Sequence, residues 1–255
     1  MNNWKVPDKL LPVIGFGVAL LLWEGFTQFS GWSDQVFPGP MAVLGSMGEL
    51  IESGELLKHS SASLYRVTVG FYISALLGIP LGILIGRVSL ANKLLNPLIQ
   101  FLRPISPLAW IPLAMLWFGI GDQPAIFLIF LSSFFPIVVS TAVSVGAINP
   151  IYFQVAANFR LTRKEVVFRV VIPAILPDVI TALRISISIA WLVVVAAEMI
   201  AVQSGLGYLI LDSRNALRMD YVMVGMIVIG LIGVMLDYVM LWLGRLDSTA
   251  WARKS

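Results

Sequence analysis

The sequence predicts an all-α integral membrane protein of about six transmembrane helices, and three observations carry that prediction. Composition is the first: 58% of residues are hydrophobic, 12% are charged and mean hydropathy is +0.90, against about 25% charged residues in soluble domains. Length is the second. A chain of 255 residues holds about six spans of roughly 20 residues each and leaves little for a soluble domain, so 1–255 reads as a single transmembrane domain. The third is a long polar interruption at 154–177, where Arg160, Arg163, Lys164 and Arg169 fall within ten residues. One charge at the bilayer centre costs roughly 2.5–3.5 kcal/mol on insertion scales, so this stretch lies in water.

The elements follow in order. Residues 1–8 are polar, and 10–29 form the first apolar run, too long for a signal peptide and without its small-residue cleavage site. From 30 to 61 the chain turns amphipathic: VFPGP makes a turn and 41–57 reads as a helix lying on the outer surface. The second span is 64–85, with Arg66 near its start and Gly78, Gly82 and Gly86 at the four-residue spacing that lets helices pack closely in lipid. The third, 94–120, carries Pro97, Pro104, Pro107 and Pro112. Each proline removes a backbone donor and frees a carbonyl, and such backbone is tolerated at membrane depth only where protein or a watery cavity satisfies it. The fourth span is 124–148, softened by Ser132, Ser133, Ser140 and Thr141. The fifth, 179–201, contains Arg184 and Glu198. Residues 203–220 form a polar outer segment with a turn at Gly205 and Gly207, and 221–243 is the sixth span.

With both termini in the cytoplasm, inner segments carry eleven Lys and Arg, including Lys5, Lys9, Arg87, Lys93, Arg245, Arg253 and Lys254. Outer segments carry three: Lys58, Arg214 and Arg218. That asymmetry sets the orientation. It also accounts for the +3 charge and pI of 9.3 without a nucleic-acid partner. The chain has no cysteine, which excludes a disulfide or a thiolate metal site. The single His59, beside Glu55 and Lys58, reads as a solvated loop histidine with no second histidine to share a metal. The chain lacks a glycine-rich phosphate loop, Gly-x-Ser-x-Gly and a histidine-based triad, so no catalytic or metal residue is assigned.

The interruption QVAANFRLTRKEVVFRVVIPAILP (154–177) is more than a charged loop. Val155, Phe159, Val166, Val167, Val170 and Val171 are spaced for one apolar helical face. Thr162 is placed as an N-cap, with Glu165 as its capping-box partner. Two short helices meeting at Leu161 and Thr162 and closed by Pro173 and Pro177 form a docking element at the membrane surface. The stretch resembles the cytoplasmic coupling loop of the permease subunits of bacterial ATP-driven importers, the ABC transporters. Their consensus is Glu-Ala-Ala, three residues, Gly, then Ile-x-Leu-Pro. Gln154 stands where that family has Glu, Ala156 in the small-residue position and Arg160 where it has Gly. LRPISPLAWIPLAMLWFGIG (102–121), ALRISISIAWLVVVAAEMI (182–200) and SGLGYLI (204–210) are similar to the nitrate, bicarbonate, taurine and aliphatic-sulfonate permeases. Arg160 and the Arg-Pro-x-Ser-Pro-Leu-Ala-Trp run resemble the nitrate and bicarbonate branch; LWFGIGD (116–122) resembles the sulfonate branch.

The resemblance implies a type I importer permease fold in the cytoplasmic (inner) membrane, with a coupling loop at 150–177 between spans 4 and 5. Gln154, Ala156, Phe159, Arg160, Leu161, Arg163 and Lys164 would meet the ATPase. It further implies a second permease copy or a homologue, two cytoplasmic ATP-binding subunits that hold the ATP and Mg, and an external solute-binding protein. The cargo it implies is a small anion. Within the membrane, Arg103 opens the broken run Arg103-Pro104-Ile105-Ser106-Pro107 and is the first candidate for an anion waystation, with Ser106 beside it. Alternatively Arg103 snorkels to the interface or pairs with Glu198, which is otherwise part of an outer gate. Trp110, Trp117 and Trp191 read as packing or interfacial anchors. An independent channel or secondary carrier for a small anion is the competing reading; it would favour internal inverted repeats and no docking pair.

Overall fold

The computed structural model describes residues 11–29, 31–33 and 35–244. The expected cytoplasmic termini, with Lys5, Lys9, Arg245, Arg253 and Lys254, lie outside the described residues, as does Ser30. In chain order the helices are α1 (Leu11–Phe29), α2 (Pro40–Glu52), α3 (Glu55–Arg87), α4 (Ser89–Leu102), α5 (Ile111–Phe118), α6 (Asp122–Gly146), α7 (Pro150–Asn158), α8 (Arg163–Val166), α9 (Ile172–Ala201), α10 (Leu206–Asn215) and α11 (Met219–Leu243). A 3-10 turn, Pro107–Trp110, precedes α5, and a π turn, Val167–Val171, joins α8 to α9. All regular structure among the described residues is helical.

The core is a layer of three long helices, α3, α6 and α9, with α6 in the middle. Small residues fix the first contact. Gly70, Ser74, Gly78, Gly82 and Gly86 recur every fourth residue and so line one face of α3. A Cβ on Gly82 would stand 2.5 Å from Thr141 Cβ, and one on Gly86 2.6 Å from Val145 Cβ. Gly70 and Gly78 meet Ile129 and Ile137 in the same way, and Ser74 Oγ donates to Phe130 O at 2.9 Å. Partner numbers rise together along this seam, so α3 and α6 are parallel. The glycine spacing is thus a packing device, as its sequence pattern suggested.

α9 returns antiparallel, and α11 lies along it: Trp191 Nε1 donates to Ile229 O at 2.9 Å, and Arg184 pairs with Asp237 at 2.6 Å. One end of the bundle therefore holds Glu55, Asp122, Ala201 and Met219, and the other Arg87, Gly146, Ile172 and Leu243. α2 and α10 close the first end around α11. There Arg218 bridges Glu49 at 3.2 Å and Asp220 at 2.7 Å. α1 touches the rest through α2 and the segment before it: Trp23 Nε1 donates to Pro38 O at 3.2 Å, and Phe26 packs edge-on against Trp32 and Phe37.

Four helical stretches are long and apolar enough to span a membrane: Glu55–Arg87, Asp122–Gly146, Arg163–Ala201 and Met219–Leu243. The pair Ser89–Leu102 and Pro107–Phe118 makes a fifth, and α1 is a shorter apolar helix. Three expected boundaries move. The surface helix expected at 41–57 ends at Glu52, because Gly54 takes φ +76, and α3 then starts at Glu55, nine residues before the expected span. The polar residues 58–63 are helical because His59 and Ser63 find buried partners across the bundle. The third span is not continuous but bent by 88°, since Pro104 and Pro107 cannot donate in an α-helical ladder. Nor is the docking pair closed by Pro173 and Pro177: α8 runs through the π turn into α9, and Pro173 follows close on that turn, where the local widening of the helix accommodates it.

Candidate functional site

The projecting pair α7–α8 is built by local capping. Asn149 Oδ1 accepts from Ile151 N at 3.0 Å and starts α7. The helix ends in a Schellman turn, with Arg160 N donating to Ala157 O at 2.9 Å and Leu161 N to Ala156 O at 3.0 Å. Arg160 consequently has φ +52, a left-handed conformation that costs a side-chain-bearing residue roughly 1–2 kcal/mol. The glycine that the resembled loops carry at this position would adopt it freely. Thr162 then starts α8 with the expected capping box: Glu165 N donates to Thr162 Oγ1 at 3.4 Å, and Thr162 N donates to Glu165 Oε2 at 2.9 Å.

The side chains of this pair divide into two sets. Gln154, Phe159, Arg160, Arg163 and Lys164 are exposed, Phe159 by 76%. Ile151, Val155 and Phe159 form an exposed apolar row at four-residue spacing. Ala156 is buried and Leu161 half-buried, so both face the bundle. The single apolar face expected to run from Val155 to Val171 does not form. The turn at 159–162 resets the helical phase, leaving Val155 and Phe159 exposed while Val171 is fully buried. Arg160, Arg163 and Lys164 have no ion-pair partner among the described residues, whereas Arg169 reaches Glu165 at 3.8 Å. The result is a basic, partly apolar knob. Arg87 at the end of α3 ties it to the bundle, its guanidinium 4.0 Å from the centre of the Phe153 ring.

The second arrangement is the broken span. Arg103 caps α4 at the bend, exposed and without an ion-pair partner among the described residues. Ser106 follows, exposed, as N-cap of the 3-10 turn. Asn92, Asn96, Gln100 and Arg103 recur at intervals of four, four and three residues, so one polar stripe runs up α4 and ends on the arginine. Its three amides line a cleft of about 270 Å³ against Val138, Val139 and Ala142 of α6. The prolines mark this segment in the sequence, and the helical spacing of Asn92, Asn96 and Gln100 is a second signal there. Trp110 and Trp117 pack together with Phe127 beside the bend, and Trp191 is buried.

Glu198 belongs to neither arrangement. It is fully buried near the end of α9, and its partner is Arg66 of α3, with Nη1 donating to Oε1 at 2.6 Å. The alternative pairing of Glu198 with Arg103 therefore falls. Arg66, itself 1% exposed, donates through Nε to Asp122 at 2.8 Å and through Nη1 and Nη2 to the carbonyl and hydroxyl of Ser204 at 2.8 and 2.5 Å. The other Glu198 oxygen accepts from Ser63 Oγ at 2.8 Å and Gly207 N at 3.0 Å. Ser63 Oγ in turn accepts from Leu206 N at 2.9 Å, and His59 Nδ1 accepts from Gly205 N at 3.0 Å. A side chain on Gly205, which has φ +107, would strike the Glu198 carboxylate, so the glycine turn lets the backbone close on that acid and bring the Gly207 amide onto it. His59 is buried, contrary to the solvated reading, because its ring serves this turn. The network pins the start of α10 to α3 and α9. Among the described residues no three His, Asp or Glu are grouped to hold a metal ion.

Comparison with known proteins decides what such a bundle is. Residues 78–247 match the family described as binding-protein-dependent transport system inner membrane component. The chain belongs to this family. A protein of Methanocaldococcus jannaschii named as an ABC transporter permease is 42% identical, over 86% of this chain and 84% of its own. The bicarbonate transport system permease protein of Synechococcus elongatus is 36% identical, over 96% and 92%. Permeases named for nitrate import in Synechococcus elongatus, aliphatic sulfonates in Bacillus subtilis and taurine in Escherichia coli are 34%, 34% and 32% identical, over 86–97% of this chain and 80–94% of theirs. Among solved structures, an inward-facing MetNI methionine ABC transporter superposes with a TM-score of 0.61 at 18% identity, covering 74% of this chain and 92% of that one; this likeness bears on the fold alone. The permease family thus accounts for the multi-pass inner-membrane bundle.

Proposed function

We propose that this permease is the membrane-spanning subunit of an ATP-driven importer for a small anion, working with a second copy or a homologue. Two cytoplasmic subunits bind ATP and Mg, and an external solute-binding protein delivers the cargo. The observation that carries the reading is the capped knob at 150–166, a rigid projection with unpaired arginines and an exposed Phe159 at the end of a bundle that has no phosphate loop of its own. In this reading Gln154, Phe159, Arg160, Arg163 and Lys164 meet the ATPase, while Ala156 and Leu161 hold the turn that presents them. The knob and both termini are cytoplasmic, in agreement with the Lys and Arg count.

Substrate class follows from what the named relatives share. Bicarbonate, nitrate, taurine and aliphatic sulfonates all present a compact oxyanion, and Arg103 with Ser106 and the amide stripe of α4 offers donors without enclosing the ligand. A waystation of this kind binds weakly, as passage requires. Glu198 acts apart from the anion, as the buried anchor of the α10 turn.

Reconstitution with the ATPase and the binding protein tests the scheme. Uptake of bicarbonate, nitrate or taurine into vesicles should require ATP; uptake that proceeds equally well without it returns the chain to the channel reading. Phe159→Asp or Arg160→Glu should abolish uptake while leaving insertion intact, and Gln154→Glu should be tolerated. Retention of full ATPase coupling in both charge variants would remove the knob from the mechanism. Arg103→Gln should lower uptake far more than Arg103→Lys with assembly unchanged, and equal uptake in the two would remove the waystation.

A further inference from the structure

At the end of the bundle that carries the knob, a groove of about 1180 Å³ opens between the last turns of α3, the start of α9 and the α8–π segment. This exceeds the roughly 300–1,000 Å³ of ordinary small-molecule pockets, and its chemistry does not suit a compact oxyanion. Seventeen residues line it and only three are polar: Arg87, Ser89 and Arg163. The polar groups are not scattered. Ile79 and Val179 lie at the inner end, and along α3 the lining passes through Ile83 and Leu84 to Arg87, a run of about 12 Å at 1.5 Å per residue. The groove is therefore apolar along its length and basic at its mouth, where Arg87 and Arg163 have no carboxylate partner among the described residues.

We infer that this groove binds a membrane glycerophospholipid with an anionic head group, its acyl chain lying against Ile79, Ile83, Ile175 and Val179 and its phosphate at Arg87, with Arg163 on the rim beside the proposed ATPase contact adding positive potential there. Charge complementarity selects that occupant. A zwitterionic lipid brings its own ammonium beside the phosphate, which two arginines disfavour, whereas an anionic head group answers them with net negative charge. The chain's own residues 245–255 carry Arg245, Arg253 and Lys254 against Asp247, a net positive charge that the basic mouth repels. The site sits where the family places the chain, in the inner membrane, and basic pockets between spans are the setting in which acidic lipid head groups are held. Because Arg87 also stacks on Phe153 of the knob, the lipid phosphate would touch the residue that ties the knob to the bundle.

Native mass spectrometry of the detergent-purified protein, given phosphatidylglycerol or phosphatidylcholine with identical chains, tests this directly. Phosphatidylglycerol should be retained about tenfold over phosphatidylcholine, and soluble glycerol phosphate should not compete. Arg87→Gln should remove the preference. Leu84→Trp, placed on a residue 45% exposed, should remove retention by filling the groove while the fold stays intact by circular dichroism. Equal retention of the two lipids, or retention unaffected by both substitutions, overturns the proposal. So does efficient cross-linking of Leu84→Cys to a second copy in the otherwise cysteine-free chain, which would make the groove an interface between permeases. These readouts need no ATPase, so their failure is separable from that of the transport scheme.

Discussion

Two arginines illustrate how differently a charge can be held in this molecule. Arg66 is enclosed, with a carboxylate on either side and Ser204 filling its remaining donors, so removing the arginine strands the buried Glu198, whereas removing Glu198 leaves Arg66 with Asp122. Arg66→Met alone should destabilise by about 3–5 kcal/mol, more than Glu198→Met alone. The double substitution should recover a large part of that loss, and thermal unfolding in detergent followed by circular dichroism would show it; additive losses would mean that the pair is not the unit. Arg160 is the opposite case, exposed yet strained in its backbone. Arg160→Gly should raise stability by about 1 kcal/mol, or about 2–4 °C in Tm for a chain of this size. Leu217, the other described non-glycine residue at positive φ, ends α10 with the same pair of hydrogen bonds and should respond to glycine in the same direction. The capping box of Thr162 and Glu165 was legible in the sequence because its partners are three residues apart and the rule is local. The partnership of Arg66 with Glu198, 132 residues apart, was not, because it depends on where α3 begins and which faces meet.

The seam between α3 and α6 sets the geometry of the bundle. Gly82 has no spare room, since a Cβ there would meet both Thr141 Cβ and Val138 O. Gly82→Val should therefore force the helices apart and destabilise by about 1–3 kcal/mol. Gly230→Val on α11, where nothing lies within 4 Å, is the control and should unfold at nearly the parent temperature. Equal effects at the two sites would mean that the spacing reflects flexibility and not close approach. The repeat of glycines was readable as one half of a contact. Its other half, the row Ile129, Ile137, Thr141 and Val145, reads as ordinary apolar span sequence and gives no sign of its partner. The bent span shows the same limit. Prolines at 104 and 107 announce an interruption, but the 88° turn depends on how α4 and α5 settle against α6, which periodicity does not encode.

On the scale of the molecule, α1, α3 and α11 leave large apolar side chains exposed, among them Phe16, Leu76 and Leu231, which membrane lipid or a second subunit would cover in the transporter proposed above. Orientation has a direct test. Ser53→Cys and Thr162→Cys, at opposite ends of the bundle, should react in opposite ways with a membrane-impermeant thiol reagent in intact cells, Ser53→Cys labelling and Thr162→Cys not; the reverse pattern would invert the topology and move the knob outside. One feature ties those two ends together. The helical stretch from Arg163 to Ala201 is unbroken over 39 residues, continuing through the π turn and past Pro177, with the knob on its first turn and Glu198 near its last. At about 1.5 Å per residue this makes a strut of nearly 60 Å. Because Glu198 holds both the amide of Gly207 and the guanidinium of Arg66, a tilt of this strut that reached its far end would carry the short helix α10 and the first turns of α3 along with it.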